Sequence, residues 1–280
     1  MSGAGAILAP AKLTLSLRIL GLRDDGFHAL EALTVSVSEP ADTLVVAEAD
    51  PGTVALAVSG VTADLPVDDT NLVVRAVRAV LPDGLGLRIA LHKVIPPGAG
   101  LGGGSSDAGA VLRTLRDRFG VDPERVAQAG AALGSDIPFC VSGTPAWMRG
   151  RGEVLDPVAL RGALAVVVVK PPFALHTPPV YRTWDELGGP AGERVLPAPA
   201  AVAHLTASLV NDLEPAAEHV EPRLRPFRSA LEAAAGRPAL LAGSGSACWV
   251  AFDHAEEAEV AAARVREALG LPAWVGTALG

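Results

Sequence analysis

Short apolar runs through the first half of the chain predict β-strands. Each run is rich in Leu, Val, Ile or Thr, as residues on a pleated and half-buried surface are. The runs cover 13–20, 30–37, 43–49, 54–59 and 87–92. We expect each of them to form a strand of its own.

Three segments of the same half show the apolar spacing of amphipathic helices. They cover 70–80, 105–119 and 122–133. Thr70 is the expected N-cap of the first helix, and Gly120 ends the second in the position that favours glycine. Asp122 and Pro123 open the third. Strands and helices therefore alternate through this half.

A second unit is predicted beyond the turn-rich stretch 149–157. Its predicted elements are a strand at 163–169, helices near 200–210 and 222–235, strands at 239–242 and 247–252, a helix at 255–269 and a strand near 273–277. This order resembles a ferredoxin-like α+β sandwich. The Gly- and Pro-rich stretch 188–199 predicts a surface loop. The predicted domains are 1–158 and 159–280.

Composition indicates a globular chain without a membrane span. The 280 residues are 50% hydrophobic, with a mean hydropathy of +0.35, enough for one large domain or two ordinary ones. The longest apolar run, 163–169, is far shorter than the roughly 20 residues of a membrane helix. The first residues have no basic segment before an apolar stretch, so we expect no secretory signal and a cytoplasmic protein.

Charge and cysteine content exclude several classes of partner. The net charge is −8, from 23 Lys and Arg against 31 Asp and Glu, so no overall field attracts nucleic acid or an anionic membrane. Cys140 and Cys248 lie among apolar neighbours, which favours buried thiols over a disulfide or a zinc site. An anionic small molecule would have to be bound by local cations and backbone dipoles.

The segment Pro96–Gly109 has the composition of a phosphate-binding turn. Five of its glycines fall within seven residues, 98–104, between a predicted strand and a predicted helix. Glycines let the backbone adopt positive φ and approach a ligand closely, while the free amides and the dipole of the helix favour an anion. A merely flexible turn would need only one or two glycines.

Two familiar motifs compete for these residues and fit poorly. Gly98, Gly100 and Gly103 spell the G-x-G-x-x-G of dinucleotide sites, a weak pattern by itself. That motif also needs an acidic residue closing the next strand about 20 residues on, where Asp122 and Glu124 open a helix instead. A Walker A loop needs Gly-Lys-Ser/Thr, and the run contains no lysine.

Three motifs in order resemble the GHMP kinase superfamily: PAKLTL at 10–15, the glycine-rich segment, and LLAGSGSA at 240–247. The resemblance implies an α+β, two-domain GHMP kinase fold. In that fold an N-terminal ribosomal-protein-S5-like α/β domain and a C-terminal ferredoxin-like α+β domain hold the active site in the cleft between them.

Four further segments resemble one family within that superfamily, the 4-diphosphocytidyl-2-C-methyl-D-erythritol kinases of the methylerythritol phosphate route to isoprenoid precursors. They are DGFH at 25–28, GSDIPF at 134–139, RGEVL at 151–155 and TPPVY at 177–181. The resemblance implies that ATP, with Mg²⁺, phosphorylates a hydroxyl of the methylerythritol moiety of a CDP-linked alcohol.

The resemblance assigns the catalytic pair to Lys12 and Asp136. An aspartate in this role accepts the proton of the alcohol, and a neighbouring ammonium favours the ionised carboxylate and draws charge off the transferred phosphoryl group. Without the resemblance, Asp136 would be interpreted as a turn aspartate and Lys12 as a solvated strand lysine.

The resemblance also assigns the CDP-alcohol. Phe27 and Tyr181 would stack on the pyrimidine, His28 would hydrogen-bond its edge, and Thr177 would lie near the base or ribose. Thr14 would face the reacting alcohol. Thr14 stands where the family usually has Asn, and Phe27 where it usually has Tyr. The first change shortens a polar contact and the second removes a phenol while keeping the ring.

Contacts to ATP are expected from two glycine turns and one helix start. Asn71 would lie near the adenine, and Ser105 and Ser106 would both cap the helix and bind phosphate or Mg²⁺. The Mg²⁺ ligand stays open between Ser105, Asp107 and the phosphates alone. The expected phosphate-binding residues are Pro97, Gly98, Ala99, Gly100, Leu101, Gly102, Gly103, Gly104, Ser105 and Ser106, with Gly243, Ser244 and Gly245 as a second turn. The second turn could equally be a plain hairpin connection.

Two other functions fit parts of the sequence. A GHMP kinase for mevalonate, homoserine or a sugar would share the glycine turns, but those substrates carry no base for the DGFH segment. A nucleotide-binding module without catalysis would not need both Lys12 and Asp136. The expected partner is the small CDP-alcohol, with no nucleic acid or membrane, and the protein is expected to be a monomer or homodimer.

Overall fold

The structure, a computed structural model, describes residues 5–61, 65–160, 162–189 and 209–279. The chain packs as two units. The first takes in the chain up to Ala11, 41–97 and 102–143; the second takes in 12–40, 98–101 and the chain from Thr144 onward. The predicted division at residue 158 stays a prediction.

The first unit combines a sheet with four helices of its described residues. Strands β1 (Ile7–Leu22) and β2 (His28–Ala49) contribute one end each, and β3 (Val54–Gly60) and β4 (Gly86–Lys93) lie wholly within it. β2 runs antiparallel to β4 with Thr43 opposite His92, and β3 runs parallel to β4 with Val54 opposite Leu87. The helices are α1 (Leu72–Val80), α2 (Gly103–Phe119), α3 (Pro123–Leu133) and α4 (Ile137–Ser142).

An aliphatic core holds this unit together. Leu44 and Val46 of β2, Ile89 of β4 and the inner faces of α1 and α2 are buried in one cluster. Val77 of α1 and Val111 of α2 are fully buried there. Removing such apolar area from water fixes α2 against the sheet, and with α2 the glycine-rich segment that leads into it.

The second unit contains an antiparallel sheet whose order confirms the ferredoxin-like prediction. The strands are β5 (Ala146–Gly150), β6 (Val154–Pro157), β7 (Ala165–Val169), β8 (Ala239–Leu241), β9 (Cys248–Phe252) and β10 (Ala273–Leu279). Four of them follow the order β10-β7-β9-β8, which is 4-1-3-2 in chain order. The helices among its described residues are α5 (Thr177–Glu186), α6 (Glu214–Val220), α7 (Leu224–Ala235) and α8 (Ala255–Leu269).

Most predicted elements are present, but β2 joins two predicted strands into one. The strand pairs with β5 and β10 before Pro40 and with β4 after it. Because Pro40 lies where β2 changes from one pairing strand to the next, its missing N–H interrupts no backbone hydrogen bonds between strands. The prediction of separate strands at 30–37 and 43–49 was therefore wrong.

Three parts of the second unit were not predicted: the β5–β6 hairpin, helix α5 and helix α6. The stretch 149–157, predicted as turn-rich, contributes to the β5–β6 hairpin, where Arg149 donates to Glu31 at 2.9 Å and to Asp156 at 2.7 Å. These ion pairs neutralise charged side chains of the hairpin. In the sequence alone, such charged residues do not indicate a strand. Helix α5 begins at Thr177 with prolines in its first turn.

Two predicted segments lie largely outside the residues that the structure describes. The predicted helix near 200–210 and the predicted loop 188–199 fall largely outside the described residues. Among the residues that are described, no helix is long and apolar enough to cross a membrane.

Candidate active site

Helix α2 begins within the glycine run, two residues before the predicted start. Gly102 is the N-cap, in the left-handed conformation with φ 64°, and no side chain caps the helix. The first three amides of the helix, those of Gly103, Gly104 and Ser105, have no partner inside it. The prediction that Ser105 and Ser106 cap the helix was wrong, because the helix starts before them. The Ser106 hydroxyl instead donates to the Pro10 carbonyl oxygen at 2.7 Å.

The two glycine turns lie against each other in the second unit. The Ala247 amide donates to the Ala99 carbonyl oxygen at 2.9 Å, and the Ser246 amide donates to that of Gly98 at 3.3 Å. Gly100, with φ 75°, leaves no space for a side chain, since a Cβ would collide with the Ala242 carbonyl oxygen. The segment Gly243–Gly245 is thus both a hairpin connection between β8 and β9 and a partner of the first turn.

Lys12 and Thr14 of β1 lie beside these turns. The Lys12 amide donates to the Leu101 carbonyl oxygen at 2.9 Å, and both side chains are buried. The Thr14 hydroxyl lies 3.9 Å from where a Cβ of Gly243 would stand. The second unit therefore brings together Lys12, Thr14, residues 98–101 and the second glycine turn. Asp136 belongs to the first unit, where it precedes α4 without making a side-chain cap.

The predicted base-binding residues form an aromatic cluster in the second unit. The Tyr181 ring packs on the His28 ring with centroids 4.9 Å apart, and the Trp184 ring meets His28 edge-on at 5.7 Å. His28 Nε2 lies 2.8 Å from Asp185 Oδ1. Tyr181 thus has one face against His28, and sequence reasoning missed both Trp184 and Asp185.

Phe27, the other predicted stacking residue, lies at the edge of this unit. The residue is 53% exposed, and the Arg151 guanidinium lies 4.8 Å from the ring centroid. Asp25 accepts a hydrogen bond from the Phe27 amide at 3.2 Å and a two-pronged ion pair from Arg23. Arg23 holds the pKa of Asp25 below its usual range. One face of the Phe27 ring is therefore covered by a cation and the ring keeps exposed area.

Asn71 and Thr177 are placed differently from their predicted roles. Asn71, not Thr70, is the N-cap of α1, accepting from the Val73 amide at 2.9 Å and donating to the Pro66 carbonyl oxygen at 2.7 Å. The Thr70 hydroxyl donates to Asp68. The Thr177 hydroxyl lies 2.8 Å from that of Ser244 in the second glycine turn.

Comparison with known proteins points to one family. A family model of the GHMP kinases N terminal domain matches residues 71–144. The 4-diphosphocytidyl-2-C-methyl-D-erythritol kinase of Methylorubrum extorquens is 41% identical over 286 residues, which cover 95% of each chain. That of Paramagnetospirillum magneticum is 37% identical over 278 residues, covering 96% of this chain and 95% of the other.

The chain belongs to the 4-diphosphocytidyl-2-C-methyl-D-erythritol kinase family. A crystal structure of 4-(cytidine 5'-diphospho)-2C-methyl-D-erythritol kinase superposes with a TM-score of 0.81 at 35% identity, covering 99% of this chain and 100% of that chain. The predicted GHMP kinase fold and the predicted kinase activity are confirmed.

A further residue that sequence reasoning missed supports the second glycine turn of this kinase. The Asn211 side-chain amide donates to the carbonyl oxygens of Leu241 at 2.9 Å and Gly243 at 2.7 Å. Its own oxygen accepts from the Leu213 amide. Because all these groups are buried, each bond helps hold the turn in one conformation. The local sequence, a single Asn before Asp212, carries no signal of this role.

A buried charge cluster lies behind the start of α2 in the first unit. Lys93 forms ion pairs with Asp42 and, at 2.6 Å, with Asp107. Asp42 also accepts from the amides of Val94 and Ile95. Burial raises the pKa of Asp107 to about 7, against the opposing effect of Lys93. A Cβ at Gly103, the first residue of α2, would lie 3.3 Å from Lys93 Nζ.

This cluster bears on the choice of Mg²⁺ ligand. The Asp107 side chain is 3% exposed and is already bonded to Lys93, which disfavours it as a ligand. Among the described residues, no group of three or more His, Cys, Asp or Glu is arranged to hold a metal ion. Mg²⁺ commonly binds through one or two protein oxygens together with substrate phosphates. Ser105, half-buried in the first turn of α2, fits that pattern.

Proposed function

We propose that this kinase transfers the γ-phosphoryl group of ATP to a hydroxyl of the methylerythritol moiety of 4-diphosphocytidyl-2-C-methyl-D-erythritol, in the methylerythritol phosphate pathway. One observation supports the substrate above others. The second unit carries both the paired glycine turns and an aromatic cluster around His28, and helix α5 contacts each of them through Thr177 and Tyr181. A CDP-linked alcohol has phosphates for the first and a flat polar base for the second.

Binding of the phosphates rests on backbone groups. The free amides of Gly103, Gly104 and Ser105 and the N-terminal dipole of α2 favour an anion, and the close approach at Gly100 keeps the two turns together. Mg²⁺ would be held by the phosphates with the Ser105 hydroxyl, and it would supply charge neutralisation on the phosphoryl group.

Proton transfer is assigned to Asp136 and Lys12. Asp136 accepts the proton of the attacking hydroxyl, and Lys12 stabilises negative charge on the transferred group. Thr14 and Gly243 lie close together beside Lys12, so Thr14 is positioned to contact the alcohol. Cytoplasmic location and a monomeric or homodimeric state stay predictions.

A coupled ADP-release assay tests the substrate. Purified protein is given Mg²⁺, ATP and one alcohol at a time: the CDP-alcohol, mevalonate or homoserine. We expect turnover with the CDP-alcohol alone, because neither competitor carries a base for the His28 cluster. Turnover with mevalonate or homoserine, and none with the CDP-alcohol, would contradict the proposal.

Replacing the base tests the assignment of proton transfer. Asp136→Asn should lower kcat by roughly 10²- to 10⁴-fold, the range for losing a general base, and leave the KM for ATP nearly unchanged. The amide keeps the shape of the side chain but accepts a proton poorly. Asp122→Asn, an exposed cap of α3, is the control. An unchanged kcat in Asp136→Asn would remove Asp136 from the mechanism.

A further inference from the structure

One face of helix α5 lines up three residues of the candidate site. Thr177, Tyr181 and Asp185 are spaced four apart, so their side chains lie above one another along the helix. Thr177 reaches Ser244, Tyr181 packs on the ring of His28, and Asp185 pairs with Nε2 of the same ring. The family resemblance implies roles for Thr177 and Tyr181 and none for Asp185.

The contact with Asp185 determines which ring nitrogen of His28 carries a hydrogen. An ionised carboxylate can only accept a hydrogen bond, so the 2.8 Å contact requires the hydrogen on Nε2. In a neutral imidazole the other nitrogen, Nδ1, is then an acceptor. No described residue hydrogen-bonds Nδ1. The rings of Tyr181 and Trp184 restrict rotation of this ring, whose side chain is 10% exposed.

We propose that Asp185 is a positioning residue that sets the tautomer of His28 and thereby makes the kinase select cytosine over uracil. Cytosine carries an amino group, a donor, where uracil carries a carbonyl oxygen, an acceptor. Nδ1 as an acceptor pairs with the amino group and opposes the carbonyl oxygen. This inference rests on the proposed function, which assigns the pyrimidine to His28.

A purely structural role for Asp185 makes a different prediction. Its side chain is 48% exposed, and a polar contact so open to solvent contributes little to stability. Loss of the carboxylate should therefore change base selection far more than folding. The amide of an Asn can present either a donor or an acceptor to Nε2, so Asp185→Asn allows both tautomers of His28.

The test compares kcat/KM for the CDP-alcohol and the corresponding UDP-alcohol at about pH 8.5, where imidazole is mainly neutral. Asp185→Asn should lower the CDP-to-UDP ratio by about tenfold or more, the effect of one hydrogen bond to a neutral partner. The KM for ATP and the melting temperature should stay close to those of the unmodified protein. Glu186→Gln, an equal charge change at the next and exposed residue of α5, should leave the ratio unchanged.

Nitrogen-15 NMR of the imidazole side chains reads the tautomer without turnover. The signals of His28, one of six histidines, are assigned by their loss in His28→Gln. We expect the Nε2–H form in the unmodified protein, a mixture of forms in Asp185→Asn, and recovery of the Nε2–H form in Asp185→Glu.

The possible failures are distinguishable. An unchanged CDP-to-UDP ratio in Asp185→Asn, or an Nδ1–H form in the unmodified protein, would overturn the role of Asp185 while leaving the kinase assignment intact. Turnover of neither nucleotide-linked alcohol by the unmodified protein would contradict the proposed function, and with it the assignment of the base to His28.

Discussion

At the scale of single residues, the buried charges of the Lys93 cluster differ in the ion pairs and hydrogen bonds that stabilise them. Lys93 is 4% exposed and lies between two buried carboxylates. Asp42 receives two backbone amides as well as the lysine, whereas no described group hydrogen-bonds the second oxygen of Asp107. Asp107 is therefore the member of the cluster that a proton stabilises most, as its raised pKa shows.

The raised pKa of Asp107 predicts a specific pH dependence of stability. Between the ordinary carboxyl pKa and about 7, the folded state binds more protons at Asp107 than the unfolded chain does. The contribution of this group to the free energy of unfolding is therefore greatest in acid and falls as the pH rises through about 7. Asp107→Asn removes this titration, so the stability of the variant relative to the unmodified protein should rise between about pH 4 and 7.

Urea unfolding at several pH values measures this dependence. Asp117→Asn is the matched control, because Asp117 is an exposed carboxylate on the same helix and Arg116 lowers its pKa. The free energy of unfolding of Asp117→Asn should differ from that of the unmodified protein by a nearly constant amount over the same pH range. If the free energy of unfolding of Asp107→Asn also differed from that of the unmodified protein by a constant amount, Asp107 would be shown to stay ionised when buried.

At the scale of elements, the paired glycine turns depend on backbone approach that no other residue permits. At Gly100 the positive φ is one restriction and the nearby Ala242 carbonyl oxygen is another. A Cβ there would also lie 2.9 Å from the carbonyl oxygen of Gly245. The close approach and the hydrogen bonds from Ser246 and Ala247 hold one turn against the other.

Gly100→Ala should therefore separate the two turns. We expect a KM for ATP raised by about tenfold or more and a lower melting temperature, since the collision adds to a backbone strain of about 1–2 kcal/mol. Gly120→Ala is the control, with φ 67° and nothing within 4 Å of the added carbon. Gly120→Ala should lower the melting temperature through the backbone strain and leave the KM for ATP unchanged. Equal KM values in the two variants would show that contact between the turns is not needed for ATP binding.

The elements that sequence reasoning predicted well are those with a strong local pattern. Helix α8 covers 255–269, as predicted, because its apolar positions repeat at helical spacing and Gly270 ends it. The β5–β6 hairpin was missed because Arg149 is neutralised in part by Glu31, which is distant in sequence. Helix α5 was missed because Pro178 and Pro179 interrupt the usual pattern and are tolerated only in a first turn.

At the scale of the whole molecule, the two packing units do not follow the chain in a simple order. Strands β1 and β2 each contribute residues to both, and residues 98–101 belong to the second unit while the glycines that follow belong to the first. The glycine-rich segment is thus shared between units although it is continuous in sequence. The division into 1–158 and 159–280, read from composition and order of elements, stays a prediction.

The sequence by itself determined the family and the order of strands β7 to β10 with helices α7 and α8, and it predicts that the glycine segment binds phosphate. These follow from motifs and from apolar spacing, which act over a few residues. Only the tertiary structure decided which polar groups meet. His28 and Asp185 are 157 residues apart, and Asn211 lies 32 residues from the Gly243 carbonyl that it binds. Such pairs form because burial of the surrounding apolar side chains brings distant segments together, and local pattern does not encode the distance between them.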